Sequence, residues 1–328
     1  MADMLNGIII VNKETGFTSN DVVAKMRGIC RQKKVGHTGT LDPDATGVLP
    51  VCLGTGTKLC DMLTDKEKEY VTELLLGVTT DTQDISGMVL SERPVDVTEE
   101  QVREAVMSFL GAYDQIPPMY SALKVNGKKL YELAREGKEI ERKARRVEIL
   151  ELEILEMKLP LVKIRVGCTK GTYIRTLCHD VGEKLGCGGT MKSLVRTKVG
   201  RFMLEQAHTL AEIEQIRDGS LGLGSVVIPT EAAFAELRRV CVKPEADKLL
   251  LNGNAISANM LLLNGEAMSI ASSLLLNSDV MPSGKKILTE VSISDGERIR
   301  VCTSDGKFLG VYEFAKAGGS LRPVKMFL

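Results

Sequence analysis

Two aspartates that lie two positions apart, Asp42 and Asp44, occur in the glycine- and proline-rich segment GHTGTLDPDATGVLP, residues 36–50. Three chemistries use a D-x-D pair: an aspartyl-phosphate nucleophile, a calcium-binding loop, and a carboxylate that attacks a sugar. Because glycine, proline and threonine disfavour a long regular element here, we expect both aspartates to lie on a loop. The rest of the chain has to distinguish the three chemistries.

The calcium loop is the weakest of these interpretations. Its pattern begins well with Asp42, Asp44 and Gly47, but the twelfth position of such a loop needs a bidentate glutamate, and Leu53 stands there. An aspartyl-phosphate motif, D-x-D-x-T, also matches and ends at Thr46. That chemistry needs its first aspartate at the end of a buried apolar strand, whereas the preceding KVGHTGTL is typical of turns. It stays a minor alternative that magnesium dependence would distinguish.

Composition limits the classes of protein to which the chain can belong. Its 328 residues suffice for two domains, and a hydrophobic fraction of 44% is ordinary for a packed globular protein. The sequence shows no signal peptide and no apolar run of membrane-spanning length, so we expect a cytoplasmic protein that does not enter a membrane. The eight cysteines have no paired metal spacing and only three histidines are present, so we expect no metal site.

Charge is balanced overall, with 43 basic and 43 acidic residues, but the basic residues are clustered. Any single run of this kind is most often a solvated face that nearby glutamates partly neutralise. If the runs share one side of the molecule, they would follow the phosphates of a nucleic acid. The first two runs are Lys25, Arg27, Arg31, Lys33 and Lys34, and Lys124, Lys128, Lys129, Arg135, Lys138, Arg142, Lys143, Arg145 and Arg146. The third run is Lys163, Lys170, Arg175, Lys184, Lys192, Arg196, Lys198 and Arg201.

Hydrophobic periodicity predicts the elements that must position the aspartates. An amphipathic helix is predicted over residues 19–33, capped by Ser19, and it leads the chain to Gly36. Strands are predicted over residues 70–78, 147–155 and 161–168. Thr98 and Gln101 predict a capping box at the start of a second helix, and a third helix is predicted from Ile174 to Gly186.

Two further segments differ in character from this alternation. Residues 114–146 combine paired prolines, Asn126-Gly127, a short helix ending near Gly137 and a dense basic run, which indicates an excursion from the core. Beyond about residue 235 the chain changes to short strands, and the patterns VSIS and IRVCTS are each followed by Asp-Gly. This texture predicts a small β-rich domain with tight turns.

Four blocks of sequence favour the sugar-attacking carboxylate. GHTGTLDPDATGVLPVCLGTGTK, KEYVTELLLG, IPPMYSALKVNGKKLYELAREG and GTYIRTLCHDVGEKLGCGG occur in this order between Asn6 and Arg201. Together they closely resemble the bacterial tRNA pseudouridine-55 synthases, the TruB family. The segment after residue 235, with LLNGNAI, resembles the C-terminal PUA-type RNA-binding domain of that family.

The resemblance implies a reaction and a set of catalytic residues. Asp42 matches the catalytic aspartate, which attacks the target uridine so that the N-glycosidic bond breaks, the base turns, and a bond forms from C5 to C1′. Arg175 matches the arginine that pairs with this aspartate, and in a closed pocket such pairing would keep the carboxylate ionised. Tyr70 matches the tyrosine that stacks on the flipped uracil and is placed to move a proton. Leu194 matches an apolar wall that would keep water from the sugar intermediate.

The resemblance also implies residues that bind the RNA. His37 matches a residue that fills the space left by flipped nucleotides, by stacking rather than by acid-base chemistry. Tyr173 and Lys13 are also expected to bind substrate, although Glu14 follows Lys13 where the family usually has proline. The basic excursion resembles the thumb insertion that grips the T-arm through phosphate contacts. The substrate-binding lysines expected there are Lys124, Lys128 and Lys129.

We therefore expect an α+β fold with a mixed, largely antiparallel central sheet, flanking helices and an active-site cleft, plus a small β-barrel-like domain of the PUA type. Residues 1–235 would be the catalytic domain, with the thumb-like insertion at about 118–146, and residues 236–328 the RNA-binding domain. The expected partner is tRNA, bound through its T-arm and T-loop by a monomer without cofactor, with uridine 55 as the target. The alternative is a non-catalytic RNA-binding or tRNA-folding protein.

Overall fold

A computed structural model of the chain describes residues 4–125, 127–263, 266–267 and 293–328. The chain divides into two units, Met1–Val227 and Ile228–Leu328. The predicted domain boundary between residues 235 and 236 therefore lies inside the second unit. Within the described residues, no helix is long and apolar enough to cross a membrane.

A mixed sheet forms the centre of the first unit. Its strand order is β1-β3-β12-β4-β11-β10-β7, with β2 added to β3 and β13 added to β12. The pair β3 and β12 is parallel and the other pairs are antiparallel. The strands of this sheet are β1 Gly7–Lys13, β2 Val35–His37, β3 Thr46–Leu53, β4 Lys68–Leu76, β7 Gly111–Gln115, β10 Arg145–Lys158, β11 Leu161–Cys168, β12 Gly189–Val199 and β13 Phe202–Met203. Two small hairpins stand apart from it: β5 Val78–Thr80 with β6 Val89–Glu92, and β8 Lys124–Val125 with β9 Lys128–Lys129.

Helices of the first unit pack beside this sheet. The longer ones bury an apolar stripe, as their 3.6-residue periodicity requires, and the capping box of Thr98 with Gln101 is confirmed. The six helices of the described part of this unit are α1 Ser19–Ile29, α2 Cys60–Thr64, α3 Glu99–Met107, α4 Leu130–Arg135, α5 Ile174–Lys184 and α6 Leu210–Asp218. The predicted α+β class with a mixed, largely antiparallel sheet is thus confirmed.

The start and end of α1 differ from the prediction for reasons that are local. Its N-cap is Thr18, which forms a capping box with Asp21, and not Ser19. The Ser19 hydroxyl is used elsewhere, because its Oγ accepts a hydrogen bond of 2.9 Å from the Leu41 backbone N–H. The helix stops at Ile29 and not near residue 33, because Arg31 adopts a left-handed conformation with φ of 50°.

A β-rich, barrel-like sheet forms the second unit, as predicted. The strand order is β15-β20-β19-β18-β14-β16-β17, and β14 pairs in parallel with β18. Its elements are β14 Arg238–Val242, α7 Asp247–Leu251, β15 Ile256–Ser257, β16 Leu261–Leu263, β17 Glu266–Ala267, β18 Arg298–Cys302, β19 Phe308–Ala315 and β20 Ser320–Met326. The two Asp-Gly turns have left-handed glycines, with φ of 77° at Gly296 and 88° at Gly306. The predicted VSIS strand lies partly outside the described residues.

Candidate active site

The loop between β2 and β3 carries Asp42, as expected, and buried anchors on both sides fix its path. Leu41 and Ala45 are buried in the same apolar cluster as Tyr70 and Leu194. The Leu41 backbone is held by the Ser19 hydroxyl, and the Gly16 backbone N–H donates to the Pro43 carbonyl at 3.0 Å. With Leu41 and Ala45 packed inward, the intervening Asp42 is held in place while its side chain stays partly exposed.

Lys13 lies beneath this loop with 0% of its surface exposed. Its Nζ donates to the backbone carbonyls of Pro43 at 2.9 Å, Ala45 at 2.6 Å and Glu14 at 3.0 Å. Burial lowers its pKa to about 8, although the nearby Asp42 and Asp44 oppose this shift. In this structure the ammonium group therefore supports the aspartate loop, and substrate binding by Lys13 stays a prediction.

Asp42 and Arg175 form a two-contact ion pair at the centre of the site. Arg175 Nε lies 3.0 Å from Asp42 Oδ2, and its Nη2 donates to Asp42 Oδ1 at 3.2 Å. The two side chains differ in exposure, since 37% of the Asp42 side chain is accessible and only 6% of the Arg175 side chain. The arginine is therefore a buried part of the site, and the accessible side of the carboxylate is the side that a substrate can approach.

Arg175 is itself fixed by groups from three segments. It lies in the first turn of α5, and it donates to the carbonyls of Thr82 at 3.0 Å and Tyr120 at 2.8 Å. Asp84 Oδ2 lies 3.6 Å from its Nη1. Asp84 also accepts from the Ser86 backbone N–H, the local role that turn chemistry predicts for it. The contribution of Thr82 and Tyr120 to the site has no signal in the sequence, because carbonyl contacts do not depend on side-chain type.

Burial is the largest influence on the acidity of Asp42. It raises the pKa of the carboxyl above its ordinary value, and Asp84 raises it further, while Arg175 and Lys13 lower it. The pairing with Arg175 therefore opposes the cost of removing the charge from water. The Asp42 carboxylate is ionised only above this raised pKa.

Tyr70 and Leu194 form the apolar part of the site. Tyr70 lies on β4 and is nearly buried, and Leu194 lies on the neighbouring β12 two residues before the partner of Tyr70 in the strand pairing. Both belong to the cluster that contains Leu41 and Ala45, so the sheet brings them beside the Asp42 loop. Burial raises the pKa of the Tyr70 phenol, which keeps it protonated near neutral pH.

Arg196, the β12 residue opposite Tyr70, is a functional candidate that the sequence analysis placed only in a basic run. It is almost fully buried, and its guanidinium reaches the backbone of the aspartate loop. A signal for it existed in SLVRTKVG, because alternation in a strand places residues 194 and 196 on the same face. A buried Leu194 therefore implies an inward-facing Arg196.

His37 lies at the end of β2, beside a basic cleft. Its ring Nδ1 accepts a hydrogen bond of 3.2 Å from the Gly39 N–H. Burial lowers its pKa, and the charge of Arg196 lowers it further, so the ring is neutral at physiological pH. A neutral ring suits stacking better than general-acid chemistry. The cleft has a volume of about 530 Å³ and is lined by Asn20, Arg27, Lys33, Lys34, His37, Thr57 and Cys60, among others.

The other predicted substrate-binding residues lie at different distances from the ion pair. Tyr173 caps α5, next to Arg175 in sequence, and Gln115 binds both its backbone N–H and its carbonyl. The three lysines of the excursion make no hydrogen bond or ion pair with Asp42, Tyr70 or Arg175. Lys124 and Lys128 are exposed on the β8–β9 hairpin, and the Lys129 ammonium donates to the Tyr131 hydroxyl at 3.1 Å.

The phosphotransfer alternative is not favoured by this geometry. It requires the aspartate at the end of a buried strand, whereas β2 ends at His37 and Asp42 lies in the loop that follows. The other two carboxylates near Asp42, those of Asp44 and Asp84, do not make up for the missing strand. Asp44 is exposed, and Asp84 is engaged by Arg175 and by the turn around Ser86.

Two family profiles match the chain. Residues 27–174 match the TruB family pseudouridylate synthase N-terminal domain, and residues 175–235 match the tRNA pseudouridylate synthase B C-terminal domain. The chain is 49% identical over 333 residues to the tRNA pseudouridine synthase B of Lachnoclostridium phytofermentans, covering 99% of this chain and 100% of that protein. It is 47% identical over 307 residues to the enzyme of the same name from Clostridium novyi, covering 94% and 95% of the two chains.

Solved structures share the fold. A chain in the structure of an H/ACA RNP bound to a substrate RNA containing 2′-deoxyuridine superposes with a TM-score of 0.66 at 23% identity, covering 98% of this chain and 85% of that one. A chain in a Cbf5-Nop10-Gar1 complex has the same TM-score at 25% identity, with the same coverage. At this level of identity the likeness concerns the fold.

Proposed function

The chain belongs to the TruB family of pseudouridylate synthases, and we propose that it isomerises uridine 55 in the T-loop of tRNA to pseudouridine, with Asp42 as the nucleophile. Membership of this family makes the chain an isomerase that forms pseudouridine in tRNA. The observation that supports the finer proposal is the Asp42–Arg175 pair, in which a fixed, buried cation holds a carboxylate whose outer face is open.

The proposed reaction conserves every atom of the uridine. The Asp42 carboxylate attacks C1′, the bond from C1′ to N1 breaks, and its electron pair stays on the uracil. The base then turns and its C5 attacks C1′, so that Asp42 leaves as a carboxylate. C5 loses its proton and N1 gains one, and the net change is an exchange of a carbon–nitrogen bond for a carbon–carbon bond. No oxidant, nucleotide or metal takes part in these steps.

Arg175 contributes to this sequence through charge and orientation. The contacts of Arg175 to the Thr82 and Tyr120 carbonyls fix its guanidinium group. Its two contacts to Asp42 then fix the orientation of the carboxylate before the substrate arrives. The same charge stabilises Asp42 when it departs in the second half of the reaction. A preorganised pair of this kind has little reorganisation to undergo in either step.

Tyr70 and Leu194 are proposed to receive the uracil. The aromatic ring offers a face for stacking, and the buried leucine beside it excludes water that would otherwise hydrolyse the sugar intermediate. The phenol is kept protonated by burial, so it can give a proton to the base and take one back. Tyr70 and Leu194 would therefore contact the base, whereas Asp42 and Arg175 would act at the sugar.

The target nucleotide must leave the folded T-loop before it can reach Asp42, and we propose that it is flipped into the cleft. Extruding a base from a stacked loop costs a few kcal/mol, which stacking on protein side chains offsets. His37 precedes Asp42 and Tyr173 precedes Arg175 by a few positions, and both side chains would occupy the space left in the RNA. The basic cleft around Lys33 and Lys34 would bind neighbouring phosphates.

Regions outside the cleft are proposed to bind the remainder of the tRNA. The thumb-like insertion at residues 118–146, with exposed Lys124 and Lys128, would bind the T-arm. The barrel-like sheet of the second unit would bind RNA as a PUA-type domain. We propose that the protein acts as a monomer, in the cytoplasm where its tRNA substrate is found.

Release of tritium from C5 tests this proposal. A tRNA transcript with tritium at C5 of its uridines is incubated with the protein in EDTA, beside a matched transcript with cytidine at position 55. We expect one equivalent of label in water from the first transcript and none from the second. Release of label from the transcript that lacks uridine 55 would show that uridine 55 is not the target. No release from a transcript that the protein binds would favour a non-catalytic RNA-binding protein.

A further inference from the structure

Arg196 carries an inference that rests on the proposed function and extends it. We propose that Arg196 is a positioning residue that directs the hydroxyl proton of Tyr70 toward the substrate and holds the aspartate loop in the same contact network. Arg196 touches neither the sugar nor the base in this account. It acts through two groups that do, the Tyr70 phenol and the backbone that carries Asp42.

The surroundings of Arg196 are unusual for a cation. Only 1% of the residue is exposed, and in the described part of the chain no carboxylate forms an ion pair with it. Its nitrogens donate to three backbone carbonyls instead: Nε to Val48 at 2.7 Å, Nη2 to Gly39 at 3.2 Å and Nη1 to Thr40 at 3.5 Å. Burying a cation without a counter-ion is costly. A position that bears this cost is a candidate for a functional role.

The carbonyl contacts connect Arg196 to the nucleophile. Gly39 and Thr40 belong to the loop that leads to Asp42, and Val48 lies on β3 just beyond that loop. Lys13 holds the carbonyls of Pro43 and Ala45 on the other side of Asp42. Two buried cations thus fix the loop before and after the aspartate.

Strand pairing places Arg196 beside Tyr70. The two residues are cross-strand partners in the pairing of β12 with β4, both are buried, and the charge of Arg196 opposes the effect of burial on the pKa of the phenol. Because a guanidinium is positively charged and has donors only, the phenol turns its oxygen rather than its hydrogen toward Arg196. The hydroxyl hydrogen of Tyr70 therefore points away from Arg196. Among the described residues none accepts it, and the charge of Asp42 is close enough to act on the phenol.

The consequence is a phenol whose proton is available on the side where the uracil is proposed to lie. When Tyr70 gives this proton to the base, the phenolate remains beside a fixed positive charge that stabilises it until the proton from C5 arrives. Lysine could not replace arginine here. A guanidinium has five N–H groups in one plane, which can face three backbone carbonyls and a phenol together. A single ammonium group cannot reach all of these groups.

A double-mutant cycle separates this role from a purely structural one. Single-turnover tritium release is measured for wild type, Arg196→Lys, Tyr70→Phe and the double variant, and tRNA affinity and melting temperature are measured for each. We expect Arg196→Lys to slow wild type by about tenfold or more, with tRNA affinity within about twofold. In the Tyr70→Phe background the same change should slow the reaction by about threefold or less, because the hydroxyl on which Arg196 acts is absent and only its support of the loop is lost.

Arg93→Lys is the control. Arg93 also donates to a backbone carbonyl, that of Gly186, but it pairs with Glu183 and makes no hydrogen bond or ion pair with Tyr70 or the aspartate loop. Its substitution should leave the single-turnover rate unchanged. An equal slowing by Arg196→Lys in the presence and absence of the Tyr70 hydroxyl would overturn the proposal, because it would show that Arg196 only supports the loop. A wild-type rate in Arg196→Lys would overturn it as well.

A measurement with Arg196 intact decides the matter if Arg196→Lys does not fold. In protein labelled with nitrogen-15 at arginine, NMR signals of the guanidinium groups are compared between wild type and Tyr70→Phe. Loss of the phenol oxygen should shift the signals of one slowly exchanging, buried arginine. If no such signal shifts, the two side chains are not coupled and the proposal fails. This result does not depend on tritium release, so it stays informative even if the proposed function is wrong.

Discussion

Asp42 combines two properties that conflict in water-excluding sites, because a nucleophile must be ionised and burial favours its neutral form. The site reconciles them by placing a nearly fully buried guanidinium against a carboxylate that is only partly buried. The carbonyls of Thr82 and Tyr120 hold the arginine in place, and part of the carboxylate stays accessible. The chemistry of the residue thus depends on backbone groups that come from distant segments of the chain.

Replacing Arg175 by lysine tests whether geometry or charge alone matters. Lysine keeps the charge but cannot contact both Asp42 oxygens and both carbonyls, so we expect the single-turnover rate to fall about 100-fold or more. tRNA affinity should change little, because only 6% of the arginine side chain is exposed. A filter-binding assay beside the tritium assay separates the two effects, and Arg165→Lys, on an exposed strand position paired with Glu153, is the control. A near-wild-type rate would show that the two-contact geometry is dispensable.

The pH dependence of the rate should reveal the raised pKa of Asp42. Below this pKa the carboxyl is protonated and cannot attack, so the single-turnover rate rises with pH through it. Asp84 raises the pKa of Asp42 by charge repulsion, so Asp84→Asn should move this acidic limb to lower pH. Asp44→Asn, at an exposed site and the smallest influence on Asp42, should move it less. A limb that moves to higher pH in Asp84→Asn would contradict this electrostatic account.

At the scale of single residues, the sequence indicates which residues form the site better than it indicates how deeply they are buried and what they contact. The pairing of Asp42 with Arg175 was expected from the resemblance, and the structure brings the two together although 133 positions separate them. The burial of Lys13 under the aspartate loop was not predictable, because a lysine in a motif carries no sign of whether its ammonium group points outward or under a loop. Arg196 was missed because clustering by sequence hides the alternation of a strand.

The parallel contact of β3 with β12 is the element that joins the aspartate loop to the remainder of the site. Gly47 makes it possible, because a Cβ at this position would lie 2.2 Å from the Arg196 backbone oxygen. Its φ of +104° also lies in a region that side chains avoid. One glycine thus sets how closely β3, which follows the Asp42 loop, approaches β12, which carries Arg196 and Leu194.

Gly47→Ala should therefore destabilise the protein more than a comparable change elsewhere. Backbone overlap and strain together should cost about 3 kcal/mol or more of unfolding free energy, measured by urea denaturation. Gly186→Ala is the matched control, because Gly186 also has a positive φ, of 78°, but nothing lies within 4 Å of an added Cβ. There the strain alone should cost about 1–2 kcal/mol. Equal losses in the two variants would mean that the close approach of the strands is not needed.

Elements with strong periodicity or capping patterns were predictable from sequence, and their ends were less so. The helix after Thr98 and the strand Leu161–Cys168 appear as expected, because a capping box and regular alternation define them locally. The first helix is shorter than predicted. Its end depends on a left-handed residue at Arg31, and its cap on a competition for the Ser19 hydroxyl that only the folded loop reveals.

At the scale of the whole molecule, a protein of zero formal net charge is proposed to bind a polyanion. Local clustering resolves this, since the cleft beside His37 contains Arg27, Lys33 and Lys34, and the excursion presents further lysines. Phosphate contacts from such clusters release counter-ions from the RNA. Affinity should therefore fall steeply with added salt even though the molecule as a whole is neutral.

Neutralising the excursion tests its share of this binding. In Lys124→Gln/Lys128→Gln/Lys129→Gln the plot of log affinity against log salt should become less steep by up to about 3, because each of the three lost phosphate contacts removes nearly one counter-ion. The single-turnover rate at saturating protein should be unchanged. Lys158→Gln, an exposed lysine paired with Glu156, is the control and should leave the slope as in wild type. An unchanged slope in the triple variant would remove the excursion from the RNA interface.

Asp42→Asn tests the central claim most directly. Asparagine keeps the size and hydrogen-bonding ability of the side chain and removes its charge and nucleophilicity. With tRNA tritiated at C5 and saturating protein in EDTA, we predict that the variant releases no label above background while it binds tRNA within about tenfold of wild type. Release by Asp42→Asn at a rate near that of wild type would show that another group attacks the sugar, and it would contradict the account of this site.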